Sequence, residues 1–88
     1  MKIIFMGTPD FAVNTLEAVM GHHEVIGVFT QPDKPKGRSK KLVASPVKII
    51  AEKHGIPVYQ PDKIRKDHWP RFIADLKPDV IVVVAYGQ

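Results

Sequence analysis

The sequence contains no cysteine, which excludes disulfides, thiolate nucleophiles and cysteine-bound zinc or iron-sulfur sites. It also lacks a long hydrophobic run. The longest, Val80 to Ala85, falls far short of the roughly 20 apolar residues that cross a bilayer. The N-terminal apolar stretch ends at Gly7-Thr8-Pro9-Asp10, leaving neither a transmembrane helix nor a signal peptide. A phosphate-binding P-loop, a hydrolase nucleophile elbow and a nucleophile-base-acid triad are missing too. The four histidines have no metal-ligand spacing: His22 and His23 are adjacent, and His54 and His68 lie far off in sequence. Where a dinucleotide-binding fold carries its glycine fingerprint, only Gly7 is present. Pro9 removes an amide that would meet a phosphate, and Asp10 puts negative charge where an anion would sit.

What is there is the composition of an ordinary folded domain, or of part of one: 88 residues, 44% hydrophobic and 25% charged. The net charge of +4 would mean little if it were spread evenly. It is not, because Lys34, Lys36, Arg38, Lys40 and Lys41 put five of the 13 lysines and arginines into eight positions.

Hydrophobic patterning gives an α/β fold. Lys2 to Met6 reads as a buried first strand stopped by Gly7. Thr8 and Pro9 read as a helix cap and a first-turn proline. Phe11, Ala12, Thr15, Leu16, Val19 and Met20 then form an apolar helical face that Gly21 stops. Glu24 to Thr30 is a second strand, making a βαβ unit and hence a parallel sheet. Ser45-Pro46 repeats the cap-then-proline signature ahead of an inner face of Val47, Ile50 and Ala51, and His54-Gly55 ends that helix. Ile56 to Tyr59 is a third strand, and Asp62 to Lys66 a helical turn. A last helix covers Pro70 to Leu76 with Phe72, Ile73 and Leu76 inward, and Trp69 is held out of it by the following proline. Asp79 to Ala85 has no polar alternation, as expected of a central strand covered on both faces. A strand this apolar needs a neighbour on each side, so the sheet is expected to be truncated after this fourth strand.

Residues 31 to 46 carry three prolines, a glycine and the cation cluster without apolar periodicity, and so read as a long loop. It leaves the carboxyl end of a parallel strand, the edge at which open α/β sheets bind ligands. Five cations there can neutralise several phosphates, which makes nucleic acid the expected partner. Arg38 is the member best suited to fork onto a phosphate or stack on a base, with the lysines acting as point charges. Tyr86, Gly87 and Gln88 follow the last strand at the same edge, either as a binding segment or as a plain strand exit.

Several stretches closely resemble the N-terminal region of bacterial methionyl-tRNA formyltransferases. They are IIFMGTPDFAV at 3 to 13, VIGVFTQPDKPKGRSKKL at 25 to 42, SPVK at 45 to 48, GIPVYQP at 55 to 61 and PDVIVVVAYGQ at 78 to 88. The resemblance implies that residues 1–88 are the N-terminal part of a Rossmann-like formyltransferase domain with a basic insertion loop at 31–46. It implies 10-formyltetrahydrofolate as formyl donor, initiator methionyl-tRNA as acceptor, no metal, a cytoplasmic location and a monomeric full-length enzyme. The tRNA-contacting residues it implies are Arg38, Lys40 and Lys41, with Lys34 and Lys36 beside them in the cluster; Tyr86, Gly87 and Gln88 would border the folate pocket. The family's Asn-x-His pair and later aspartate would fall beyond Gln88, so no catalytic residue is expected among these 88. The segment alone is then expected to be inactive and to self-associate through its last strand. Two other readings stand beside this one: a sugar N-formyltransferase of the same fold, and a non-enzymatic tRNA-binding module.

Overall fold

The computed structural model describes residues 1–36 and 41–87. Four parallel strands form a sheet in the order β5-β2-β1-β6: β1 (Lys2–Gly7), β2 (Glu24–Phe29), β5 (Val58–Tyr59) and β6 (Val80–Val84). Helices α1 (Asp10–His22), α2 (Pro46–Lys53) and α3 (Trp69–Leu76) flank it. This is the Rossmann-like α/β arrangement that the patterning requires. A second sheet, β3 (Lys34–Lys36) with β4 (Lys41–Val43), is an antiparallel two-stranded ribbon.

Because successive strand residues face opposite sides, β1 serves two cores at once. Phe5 packs with Val28 and with Ala12, Leu16, Val47 and Ala51 from α1 and α2. Ile4 and Met6 pack on the other side with Phe29 and Tyr86, under Trp69, Phe72, Ile73 and Leu76 of α3. Phe5, Phe29, Ile4 and Leu16 are fully buried, each contributing roughly 1.5–3 kcal/mol relative to exposure. The register of β1 on β2 slips between Ile3 and Ile4, which makes Ile26 the extra residue on β2.

Several details depart from the sequence reading. Thr8 does not cap α1; Pro9 occupies the cap position with no side-chain bond, and the threonine hydroxyl is used elsewhere. Phe11 is 61% exposed because the inward face follows Ala12, Leu16 and Met20 at i, i+4 spacing, with Val13 beside it. Gly21 lies inside α1, which runs to His22 and is ended by the start of β2. Asp62 to Lys66 forms turns and bends rather than a helix. Trp69 is the first residue of α3 despite the proline after it. Its ring meets Phe29 at 5.7 Å and Phe72 at 5.6 Å, and this aromatic packing outweighs the steric bias of a pre-proline residue.

The loop expected at 31 to 45 contains the β3-β4 ribbon, with Pro35 opposite Leu42. A two-stranded ribbon is all edge, the sheet context in which a proline is tolerated, and neither of its strands is buried enough to show alternation in sequence. Among the described strands β6 lies at the edge, paired with β1, the place that a sheet truncated after its fourth strand gives it. Val82 and Val84 pack on the α1-α2 core, whereas Ile81 and Val83 are 43% and 61% exposed.

Gly7 sits where β1, β6 and α1 come closest. A Cβ there would lie 2.8 Å from the Phe5 ring, 2.9 Å from the Val84 carbonyl oxygen and 3.1 Å from the Ala12 Cβ. Gly7→Ala therefore forces the first turn of α1 off the sheet and is expected to cost about 1–3 kcal/mol, read as a lower urea midpoint with an unchanged slope.

Candidate functional site

All four strands of the main sheet run the same way, so their carboxyl ends share one edge. Thr8 after β1, Thr30 and Gln31 after β2, Gln60 after β5 and Tyr86 after β6 converge there. The Thr8 hydroxyl donates to the Tyr86 carbonyl at 3.0 Å and accepts from the Gln31 amide at 3.3 Å. One side chain thus joins the exits of three adjacent strands, and that is why it is not spent on capping α1.

The exit of β6 is a turn with two residues at positive φ, Ala85 at 50° and Gly87 at 95°. A Cβ at Gly87 would meet the Gln31 Nε2 at 2.8 Å, so the close approach that this glycine permits is that of a neighbouring amide side chain. The ring of Tyr86 turns into the α3-side core and is only 3% exposed, leaving its backbone at the edge. Its hydroxyl is buried without a hydrogen-bond partner among the described residues, and burial pushes its pKa from 10.0 up to about 12.

A second set of contacts fixes the root of the ribbon. The fully buried Thr30 shares a 2.6 Å hydroxyl contact with Ser45. Ser45 also accepts from the Lys48 amide at 3.1 Å as the cap of α2, as its sequence signature requires. Lys48 Nζ donates to both carboxylate oxygens of Asp33 at 3.2 and 3.1 Å. Gln60 Nε2 donates to Asp33 Oδ1 at 2.7 Å and to the Gln31 carbonyl at 3.2 Å. Hydrogen bonds from Gln60 and Lys48, and the charge of Lys48, hold the Asp33 carboxyl below the usual carboxylate range. Between the first turn of α1, this root and the start of α2 lies a cavity of about 140 Å³ lined by Thr8, Pro9, Gln31, Pro32, Lys34, Val43, Ser45 and Pro46. That is below the roughly 300–1,000 Å³ of typical small-molecule sites.

The ribbon carries positions 34, 36 and 41 of the cation cluster. Its register pairs Lys34 with Val43 and Lys36 with Lys41, putting positions 34, 36, 41 and 43 on one face and 35 and 42 on the other. Lys34 and Lys41 are exposed. Arg38, Lys40, Gln88 and the side chain of Lys36 lie outside the described residues. Patterning alone missed Thr8 as a strand tie and missed Asp33, Lys48 and Gln60 altogether. Residues brought together across 15 and 27 positions leave no local signal. Among the described residues, no group of three or more histidine, cysteine, aspartate or glutamate side chains could hold a metal ion. No helix among them is long and apolar enough to cross a membrane.

The formyl transferase family model matches residues 1–88, the whole chain. The chain belongs to the formyl transferase family. This assignment agrees with a Rossmann-like sheet whose first turn lacks a nucleotide fingerprint, and it makes the domain part of a one-carbon transferase that takes a formyl donor such as a folate derivative. In this formyl transferase the carboxyl edge is thus an assembled polar surface with a basic ribbon rooted in it.

Two outcomes follow for the formyl transferase domain. Thr8→Val keeps the shape but removes the donor to the Tyr86 carbonyl and the acceptor that meets the Gln31 amide, at a cost of about 1–2 kcal/mol, and Thr8→Ser retains most of the stability; denaturant unfolding of both variants checks this. Tyr86 has a folded pKa above its unfolded one, so its contribution is intact below pH 10 and is lost as pH rises towards about 12. Tyr86→Phe should leave stability at neutral pH within about 1 kcal/mol and remove that alkaline loss in unfolding measured at both ends of the range.

Proposed function

We propose that this domain belongs to a methionyl-tRNA formyltransferase of the cytoplasm. The reaction passes a formyl group from 10-formyltetrahydrofolate to the α-amine of methionine esterified to initiator tRNA. The basic ribbon contacts phosphates of the acceptor stem through Lys34, Lys36, Arg38, Lys40 and Lys41. The backbone of Tyr86, Gly87 and Gln88 borders the donor pocket. Residues 1–88 supply recognition, and we assign none of them a role in proton transfer or oxyanion stabilisation.

The observation that supports this reading is the position of Lys34, Lys36 and Lys41, the described members of the cation cluster, on a ribbon rooted at the carboxyl edge of a formyl transferase sheet. An acceptor with a phosphate backbone gives that charge a use, whereas a small sugar acceptor leaves it idle.

Initiator tRNA titrated against the protein across a salt series tests the proposal. Four or five phosphate contacts on a duplex stem predict a slope of log affinity against log salt of about −3.6 to −4.5. Arg38→Ala is expected to lower that slope by about one and to weaken binding, leaving affinity for the folate donor unchanged in the enzyme that carries the domain. A flat salt dependence for the parent protein sinks the proposal.

A further inference from the structure

Asp33 is the only acidic residue between Gln31 and Pro46, inside the most basic segment of the chain. A carboxylate there opposes phosphate binding, and it also occupies a cation, Lys48, that would otherwise add to the positive field. Its geometry is well defined. Both oxygens are bonded by Lys48 and one also by Gln60, with the Asp33 and Lys48 side chains only 27% and 18% exposed. Gln60 uses its amide nitrogen twice, on Asp33 and on the carbonyl of Gln31. The ion pair joins the segment leaving β2 to α2, and the glutamine joins it to the segment leaving β5.

We propose that Asp33 is a positioning residue for nucleic-acid contact: clamped by Lys48 and Gln60, it fixes the root of the basic ribbon to the sheet edge. Strands β3 and β4, with Lys34 and Lys41, are thereby held at a set distance from Tyr86 and Gly87. This inference rests on the RNA reading given above. The ribbon alone cannot set its own direction, because two short strands are marginal without a packed face, and Leu42 and Val43 are 63% and 42% exposed. Its orientation is therefore decided at the root. There the chain is held at Gln31 by Thr8 and Gln60, and at Asp33 by Lys48 and Gln60.

Charge counting and positioning predict opposite signs for one substitution, which makes the inference testable. Asp33→Asn removes a negative charge and releases Lys48, so electrostatics alone gives tighter tRNA binding with a steeper salt slope. Loss of the clamp gives weaker binding in spite of the added charge. The measurement is initiator tRNA affinity at fixed moderate salt for the parent, D33N, K48M and the double variant, with a thermal unfolding curve for each. We expect D33N to bind about five- to tenfold more weakly, K48M similarly, and the double variant no worse than about twofold beyond either, since both singles break the same clamp. Gln60→Leu cuts one arm without leaving Lys48 unpaired and should weaken binding to a smaller extent; it carries the test should D33N fail to fold. Equal or tighter binding by folded D33N, or fully multiplicative losses in the double variant, overturns the positioning role. Absence of salt-dependent binding by the parent overturns the RNA reading itself, and the two failures are separate because the second needs no variant.

Discussion

Everything in this domain hangs on β1, paired in parallel on both edges and buried on both faces. Its register with β2 and β6 decides which residues of those strands face α1 and α2 and which face α3. A one-residue slip would exchange the two cores. The same strand delivers Gly7 and Thr8 to the point where the first helix crosses the sheet. A bare Cα there lets the helix lie close, and a hydroxyl immediately after it ties the neighbouring strand exits together. Packing and site geometry are thus set by consecutive residues.

The carboxyl edge is organised by polar groups that are mostly paired with each other. Thr8, Gln31, Asp33, Ser45, Lys48 and Gln60 form short-range contacts across five chain segments. This pre-organisation suits the function proposed above, in which the surface borders a donor pocket and carries a nucleic-acid-contacting ribbon. Holding these groups in place before a ligand arrives avoids paying their ordering cost on binding. The exposed Phe11 and Leu42 stand at the same end of the molecule, one at the start of α1 and one on the ribbon.

The sequence was most legible where local chemistry and tertiary packing agree. The strands Lys2–Gly7 and Glu24–Phe29 and the Ser45-Pro46 cap all stand as patterning indicates. The parallel order followed from the βαβ unit. Legibility failed where one residue had two possible partners. Thr8 looks like a cap from its neighbours alone, but the carbonyl that takes its proton is 78 residues away. Trp69 looked excluded from its helix by Pro70 until the rings of Phe29, Tyr59 and Phe72 were seen around it. The ribbon was invisible because neither of its strands has a buried face to impose alternation. The Asp33 clamp was invisible because ion pairs between distant segments leave no periodic trace.

The clamp also bears on which solution variable this surface responds to. No histidine lies between Gln31 and Pro46, and hydrogen bonds from Gln60 and Lys48 hold the one carboxyl in that stretch below its ordinary pKa. Being depressed, its contribution is present at neutral pH and fades only as pH falls through that lowered value. The electrostatic footprint of the ribbon is therefore nearly constant across the physiological range of acidity, and ionic strength is left as the medium's main control over it.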